Sequence, residues 1–166
     1  MKNVSEIELK ALKKLYAILI ELGYDFNDFL SAKNSRIVFQ KLVYSLQKCG
    51  FQLGYNYNLY INGPYSPGLA SDGYLIAENL ELFLRDDSPF SLSPQGKAKI
   101  QKAKDFVDDD AANRQWLETL ATMDYIFTWA PVKTKDFVIN RFKEIKPLLD
   151  NQEMIEKAWG KISRPQ

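Results

Sequence analysis

Histidine is missing from all 166 residues, and cysteine occurs once, at position 49. Without imidazole there is no His general base, no Ser-His-Asp triad and no Cys-His dyad. With a single thiol there is no Cys/His zinc cluster and no internal disulfide. No catalytic residue is assigned, an enzyme is not expected, and neither a metal nor a cofactor is expected. Charge of one sign is also lacking. The 22 Lys and Arg against 21 Asp and Glu leave a net +1, so no global field draws the chain to nucleic acid or to an anionic membrane. No run of eighteen apolar residues occurs, and Met1 is followed by Lys2, Asn3 and a mixed-charge helix rather than a signal-peptide block. A soluble, cytoplasmic protein with no membrane partner is expected. Nor is there a phosphate-cradling loop: Gly63, Gly68 and Gly73 are five residues apart and fit neither nucleotide fingerprint. The densest carboxylate run, Asp108-Asp109-Asp110, falls between helical patterns and reads as a solvated, helix-capping linker.

Hydrophobic residues make up 46% of the chain, enough for one core and one domain spanning residues 1–166. Leu12, Leu15, Tyr16, Leu19 and Leu22 predict a helix from Ser5 to Leu22, stopped by Gly23. An amphipathic link, Asp25 to Leu30, should carry Phe26, Phe29 and Leu30 onto the core. Ser35 can cap a second helix whose stripe is Val38, Leu42, Leu46 and Cys49, which makes Cys49 a core residue. Tyr55 to Ile61 alternates as a strand does, with Tyr57, Leu59 and Ile61 on one face and Tyr60 on the other. Gly63-Pro64 then forces a turn, and Ser66-Pro67 opens a third helix. Leu80 to Leu84 and Phe90 to Leu92 predict a hairpin, and Ser93-Pro94 opens a fourth helix through Val107. This order is that of a winged helix-turn-helix. Three further helices follow over 111–163: one with Trp116, Leu120, Met123 and Phe127, one capped by Thr134, and one opened by an Asp150/Glu153 capping box. The expected fold is mainly α with a small β component, a winged-helix-like core over 1–107 and a C-terminal helical layer packed on it.

Gln40-Lys41-Leu42-Val43-Tyr44, Gln47, Gly50, the Tyr57 to Tyr60 strand and Gly63-Pro64-Tyr65-Ser66-Pro67 with Leu69 resemble the YwgA-like proteins. More distantly they resemble the SocA/Panacea antitoxin domains and the toxin-binding C-terminal domain of the DarG antitoxin. Weaker matches are Trp116-Leu117-Glu118, Leu120-Ala121, Lys146-Pro147 and Glu156-Lys157-Ala158-Trp159, so nearly the whole chain is covered. Asn62 departs from the pattern, since relatives often carry an aromatic residue there, and Gly68 and Gly73 are unusual inside the following helix. The resemblance implies a winged-helix-like, non-enzymatic module, in several relatives an antitoxin or defence-associated partner.

Two functions compete on the residues. A DNA-binding regulator would place the third helix in the major groove, but between Ser66 and Leu84 there is no Lys or Arg, while Asp72, Glu78 and Glu81 are present. The basic alternative is Lys97, Lys99, Lys102 and Lys104 on the fourth helix, offset by Asp105 and the acidic run. A protein-interaction module, its partner a toxin or another defence component, is favoured. Its candidate contacts are Tyr60, Asn62, Tyr65, Ser66 and Tyr74, because tyrosine joins apolar area to a polar tip.

Overall fold

Ser5 opens α1 (Glu6–Leu22) with a reciprocal cap. Its hydroxyl accepts from Glu8 N at 3.2 Å and its own N–H donates to Glu8 Oε2 at 2.7 Å, while Gly23 closes the helix at φ +97°. The computed structural model describes residues 1 and 3–164, the Asp109 side chain excepted, and these are mainly helical with one small sheet. After α1 come α2 (Lys33–Lys48), β1 (Asn58–Tyr60), β2 (Gly63–Tyr65), α3 (Pro67–Glu78), α4 (Leu80–Leu84), α5 (Pro94–Val107), α6 (Arg114–Trp129), α7 (Lys135–Ile145) and α8 (Gln152–Ile162). The strands pair antiparallel in the register Asn58 to Tyr65 and Tyr60 to Gly63. Among the described residues no helix is long and apolar enough to cross a membrane.

The central helix is α6. Trp116 through Asp124 are buried without interruption, as expected of a helix surrounded by protein rather than lying on its surface. It packs on α2 and β2 and also on α7 and α8, so one hydrophobic cluster runs from Leu12 to Ile162. The capping serines foreseen at Ser66 and Ser93 accept from Leu69 N and Gly96 N, and Thr134 accepts from Phe137 N.

Several local expectations are corrected. Leu80–Leu84 is a one-turn helix and no strand pairs at Phe90–Leu92, so the hairpin expected there is not formed. Burial explains this: Phe83 is buried and Leu80 half-buried, three residues apart, whereas Leu82 and Leu84 are exposed. The sheet that does form lies before α3. Ser35 does not cap α2. Ala32 holds that position without a side-chain bond, and Ser35 sits inside the helix, where its hydroxyl meets Tyr24 Oη at 2.8 Å. The α8 cap is Asn151, accepting from Met154 N, rather than Asp150. Leu30 and Ile61, expected inward, are exposed.

Gly73 sits where α3 meets an aromatic cluster, with Phe29 and Phe39 edge to face at 5.1 Å. A Cβ on Gly73 would lie 2.6 Å from Phe29 Cζ and 2.8 Å from Phe39 Cε1. The glycine that departs from helical propensity is therefore a packing requirement. Gly73→Ala should lower stability in urea unfolding by about 1–3 kcal/mol, since overpacking outweighs the gain in helix propensity. An unchanged or raised midpoint would show that the two rings move aside freely.

Candidate functional site

The chain from Tyr55 to Ser66 doubles back at Ile61-Asn62, yet only three residue pairs of it belong to a ladder. Its remaining backbone groups need other partners, and α2 supplies them. Gln47 brackets Tyr55, accepting from its N–H at 2.9 Å and donating to its carbonyl at 3.0 Å. Seven residues earlier on the same helix face, Gln40 does the same to Ser66, at 2.9 and 3.0 Å. Between them Lys41, 1% exposed, donates to Pro64 O at 2.6 Å. Tyr57 Oη donates to Gln40 O at 3.2 Å, and Tyr44 Oη donates to Asp124 Oδ2 of α6 at 2.7 Å. Lys48 also pairs with Asp124. The Gln-Lys-Leu-Val-Tyr block with Gln47 is thus the seat of the segment.

The turn itself is held from α6 and α7. Lys146 Nζ donates to Ile61 O and, at 2.7 Å, to Glu118 Oε1; both side chains are buried. Arg114 Nη2 donates to Asn62 Oδ1 at 3.3 Å and Nη1 to Asn34 Oδ1 at 3.0 Å, while its Nε stands 3.5 Å from Glu118 Oε2 without a hydrogen bond. Gly63 has φ +90°, and a Cβ there would lie 2.5 Å from Thr122 Oγ1 and 3.3 Å from Lys41 Cε. Arg114 and Lys146 thus meet one carboxylate around the turn, with Lys41 within its field. Burial pushes the Lys41 ammonium down to about 7; attraction to Glu118 opposes this, and repulsion from Lys146 and Arg114 adds to it.

This frame presents three of the sequence-predicted contacts on one groove. Asn62, Tyr65 and Tyr74 line a cavity of about 260 Å³ between α2, the turn and α3, together with Phe29, Lys33 and Arg36. Tyr60, 48% exposed, stacks edge to face on Tyr65 at 5.2 Å, and Tyr74, 40% exposed, does so on Phe29. Ser66 is different. It is buried, and its hydroxyl caps α3 while Gln40 takes its backbone groups, so it positions the surface without reaching a partner.

The lysines of α5 do not form one patch. At about 100° per residue, Lys97 and Lys104 share one side of the helix, and Lys99 and Lys102 share the other. Lys97 borders a groove with Lys13 and Asp86, Lys99 lies over the Phe51 ring, and Lys102 borders Cys49. Cys49 is half-buried, and burial pushes its thiol up to about 11, the opposite of a reactive cysteine. The acidic linker is a 3-10 turn in which Asp108 and Asp110 pair with Lys157 and Asp108 also with Lys161.

Sequence reasoning missed the exposed apolar residues beside the turn: Ile61 at 87% exposure and, beyond Leu59, a shallow groove bearing Trp129 and Phe137. It also missed the buried ions. A signal for Lys41 was present, since it lies three residues after Val38 on the inward side of α2. Lys146 and Glu118 are brought together by tertiary packing alone. Compared with protein-family models, with curated proteins and with solved structures, the chain matches none.

Gly63→Ala should destabilise by roughly 1–3 kcal/mol, through the positive φ and the Thr122 contact together. Gly54 has φ +81° with nothing within 4 Å of its Cβ site, so Gly54→Ala should cost less. Equal losses in urea unfolding would remove the steric part of this account.

The Lys41 shift has a definite sign. The unfolded chain keeps this proton to about the ordinary lysine value of 10.5 and the folded chain releases it near 7, so the unfolded state binds more protons in between. Stability from this group therefore rises with pH across that window, by at most about 1.4 kcal/mol per pH unit. Near and above pH 10 the buried tyrosines oppose it; Tyr24, for one, is pushed up to about 12 by burial. In urea unfolding from pH 7 to 9.5, the stability of wild type minus that of Lys41→Met should climb. A flat difference would mean that Lys41 stays charged when folded.

Proposed function

We propose that this protein is a non-enzymatic interaction module that binds and occludes a protein partner through the face built on the Ile61-Asn62 turn, which lies one step before the Gly63-Pro64 pair expected to make it. One observation carries the reading: a turn pinned by buried side chains holds Tyr60 and Ile61 outward beside half-buried Tyr65, and α3 presents Tyr74 on the same groove as Tyr65. Aromatic residues fixed on an ordered edge lose little rotamer freedom on binding, which favours them as anchors. Leu59, next to Tyr60 in β1, lines a second apolar groove with Trp129 and Phe137. The resemblance to antitoxin and defence-associated proteins accords with a toxin or another defence component as the partner. A DNA-binding regulator has less support. Ser66 to Leu84 offers no cation, and the lysines of α5 are divided between opposite sides of the helix.

The experiment uses the tagged full chain expressed in its source cells. A protein should co-purify in stoichiometric amount, be identifiable by mass spectrometry, and be lost with Tyr60→Ala. Changing Lys97, Lys99, Lys102 and Lys104 together to Gln should leave the complex intact. Sub-micromolar binding to duplex DNA at physiological salt, lost in the lysine variant along with a slope change of about 0.9 per phosphate contact, would overturn the reading.

A further inference from the structure

The groove beside Tyr65 and Tyr74 carries a charge pattern that the net +1 of the chain conceals. Lys33 and Arg36 line it as cations, the buried Lys41 amine lies at its inner side, and no Asp or Glu lines it. Lys33 is exposed and makes no ion pair among the described residues. Arg36 is held in place by its own fold, Nη1 donating to Phe29 O at 2.8 Å and Leu30 O at 3.2 Å. Its Nε and Nη2 have no protein acceptor among the described residues. The nearest carboxylate acting on Lys41 is Glu118, which is already engaged by Lys146 and faces Arg114. The walls are aromatic: Phe29, Phe39, Tyr65 and Tyr74.

Size narrows the occupant. Sites that engulf a small molecule run to roughly 300–1,000 Å³, and this cavity of about 260 Å³ falls just below them, a size that suits part of a docked segment. An aromatic side chain entering it would meet ring edges and faces in the geometry that aromatic pairs favour. A carboxylate at the rim would find Lys33 and the free edge of Arg36, which make charge-assisted hydrogen bonds of the stronger kind. Resting on the protein-docking reading of this face, we propose that the groove takes an acidic segment of the partner, in which an Asp or Glu stands next to an aromatic side chain that enters the cavity.

The test is a random-peptide phage selection on the immobilised full chain. Enriched sequences should place Asp or Glu beside Phe, Tyr or Trp. The tightest of them, fluorescein-labelled, should lose about tenfold or more in affinity, ~1.4 kcal/mol, to Lys33→Glu, which alters an exposed side chain and leaves the fold intact. Ala70→Trp, which plugs the groove from α3, should do the same, and a near-UV circular dichroism spectrum unchanged from wild type checks its fold. No enrichment, enrichment indifferent to acidic residues, or affinity that ignores both variants would overturn the proposal. The two readings fail separately. A cellular partner weakened by Tyr60→Ala but unaffected by Lys33→Glu removes the groove and leaves the docking face. Peptides that bind with the acidic-aromatic signature while no cellular protein is recovered support the groove and count against the docking function.

Discussion

The structure depends on a row of polar side chains along one buried face of α2. Where the Tyr55 to Ser66 segment lies against a helix instead of another strand its backbone groups need side-chain partners, and each one left buried without a partner costs about 1–3 kcal/mol. Gln40 and Gln47 meet this cost because a carboxamide has the same donor and acceptor pair as a peptide unit, so each stands in for a missing strand neighbour. With Lys41 on Pro64 O between them, the register of the segment against the helix is set at three points. The two-stranded sheet then needs only three residue pairs, fewer than would hold a hairpin by itself.

The same economy governs the ions behind the turn. Glu118 meets Lys146 and Arg114 and has Lys41 within its field, and it is buried with Lys146 at hydrogen-bond distance. Two full positive charges this deep beside a single acid would be costly. Lys146 takes the carboxylate directly, and burial lets Lys41 approach neutrality, in which state its amine still donates to Pro64. Lys41 is therefore a hydrogen-bond donor first and a charge second. Arg114, partly exposed, reaches from this cluster to Asn62 and ties the buried ions to the visible surface.

What could be read from sequence divides along one physical line. Ser66-Pro67, Ser93-Pro94 and Gly23 announce themselves because a cap is a local hydrogen bond made by residues within a few positions. The alternation from Tyr55 to Ile61 was legible for the same reason, and half-buried Tyr55, Tyr57 and Leu59 follow it against exposed Tyr60. Leu80–Leu84 was not, since five apolar-rich residues satisfy strand and helix spacing about equally and only the Phe83 contact with Tyr16 decides between them. Ile61 broke the strand pattern because the turn begins one residue earlier than alternation alone suggests. Gly73 looked like a helix fault until Phe29 and Phe39, more than thirty residues upstream, were placed against it. The groove was half visible: its tyrosines were named, but Lys33 and Arg36 belong to a helix whose approach to the turn no local pattern encodes.

These constraints explain why an apolar edge can stay exposed on a chain with so little net charge. An open edge strand invites pairing with any other strand, yet β1 and β2 offer only three residues each, and the Ile61-Asn62 turn closes one end. Backbone-led association is thereby limited, and recognition falls to side chains. Side-chain recognition rewards rigidity, because a partner then spends less of its contact energy on ordering the surface it meets. The buried row on α2 and the ion cluster supply that rigidity from beneath. A substitution at Gln47 or Glu118, neither of which lines the groove, should therefore weaken binding indirectly, by loosening the turn, while one at Tyr60 or Lys33 acts on the contact itself. Hydrogen exchange separates the two kinds of effect: a loosened turn loses protection at the Ser66 and Tyr55 amides held by the glutamines, whereas a lost contact leaves both amides as slow as in the wild type.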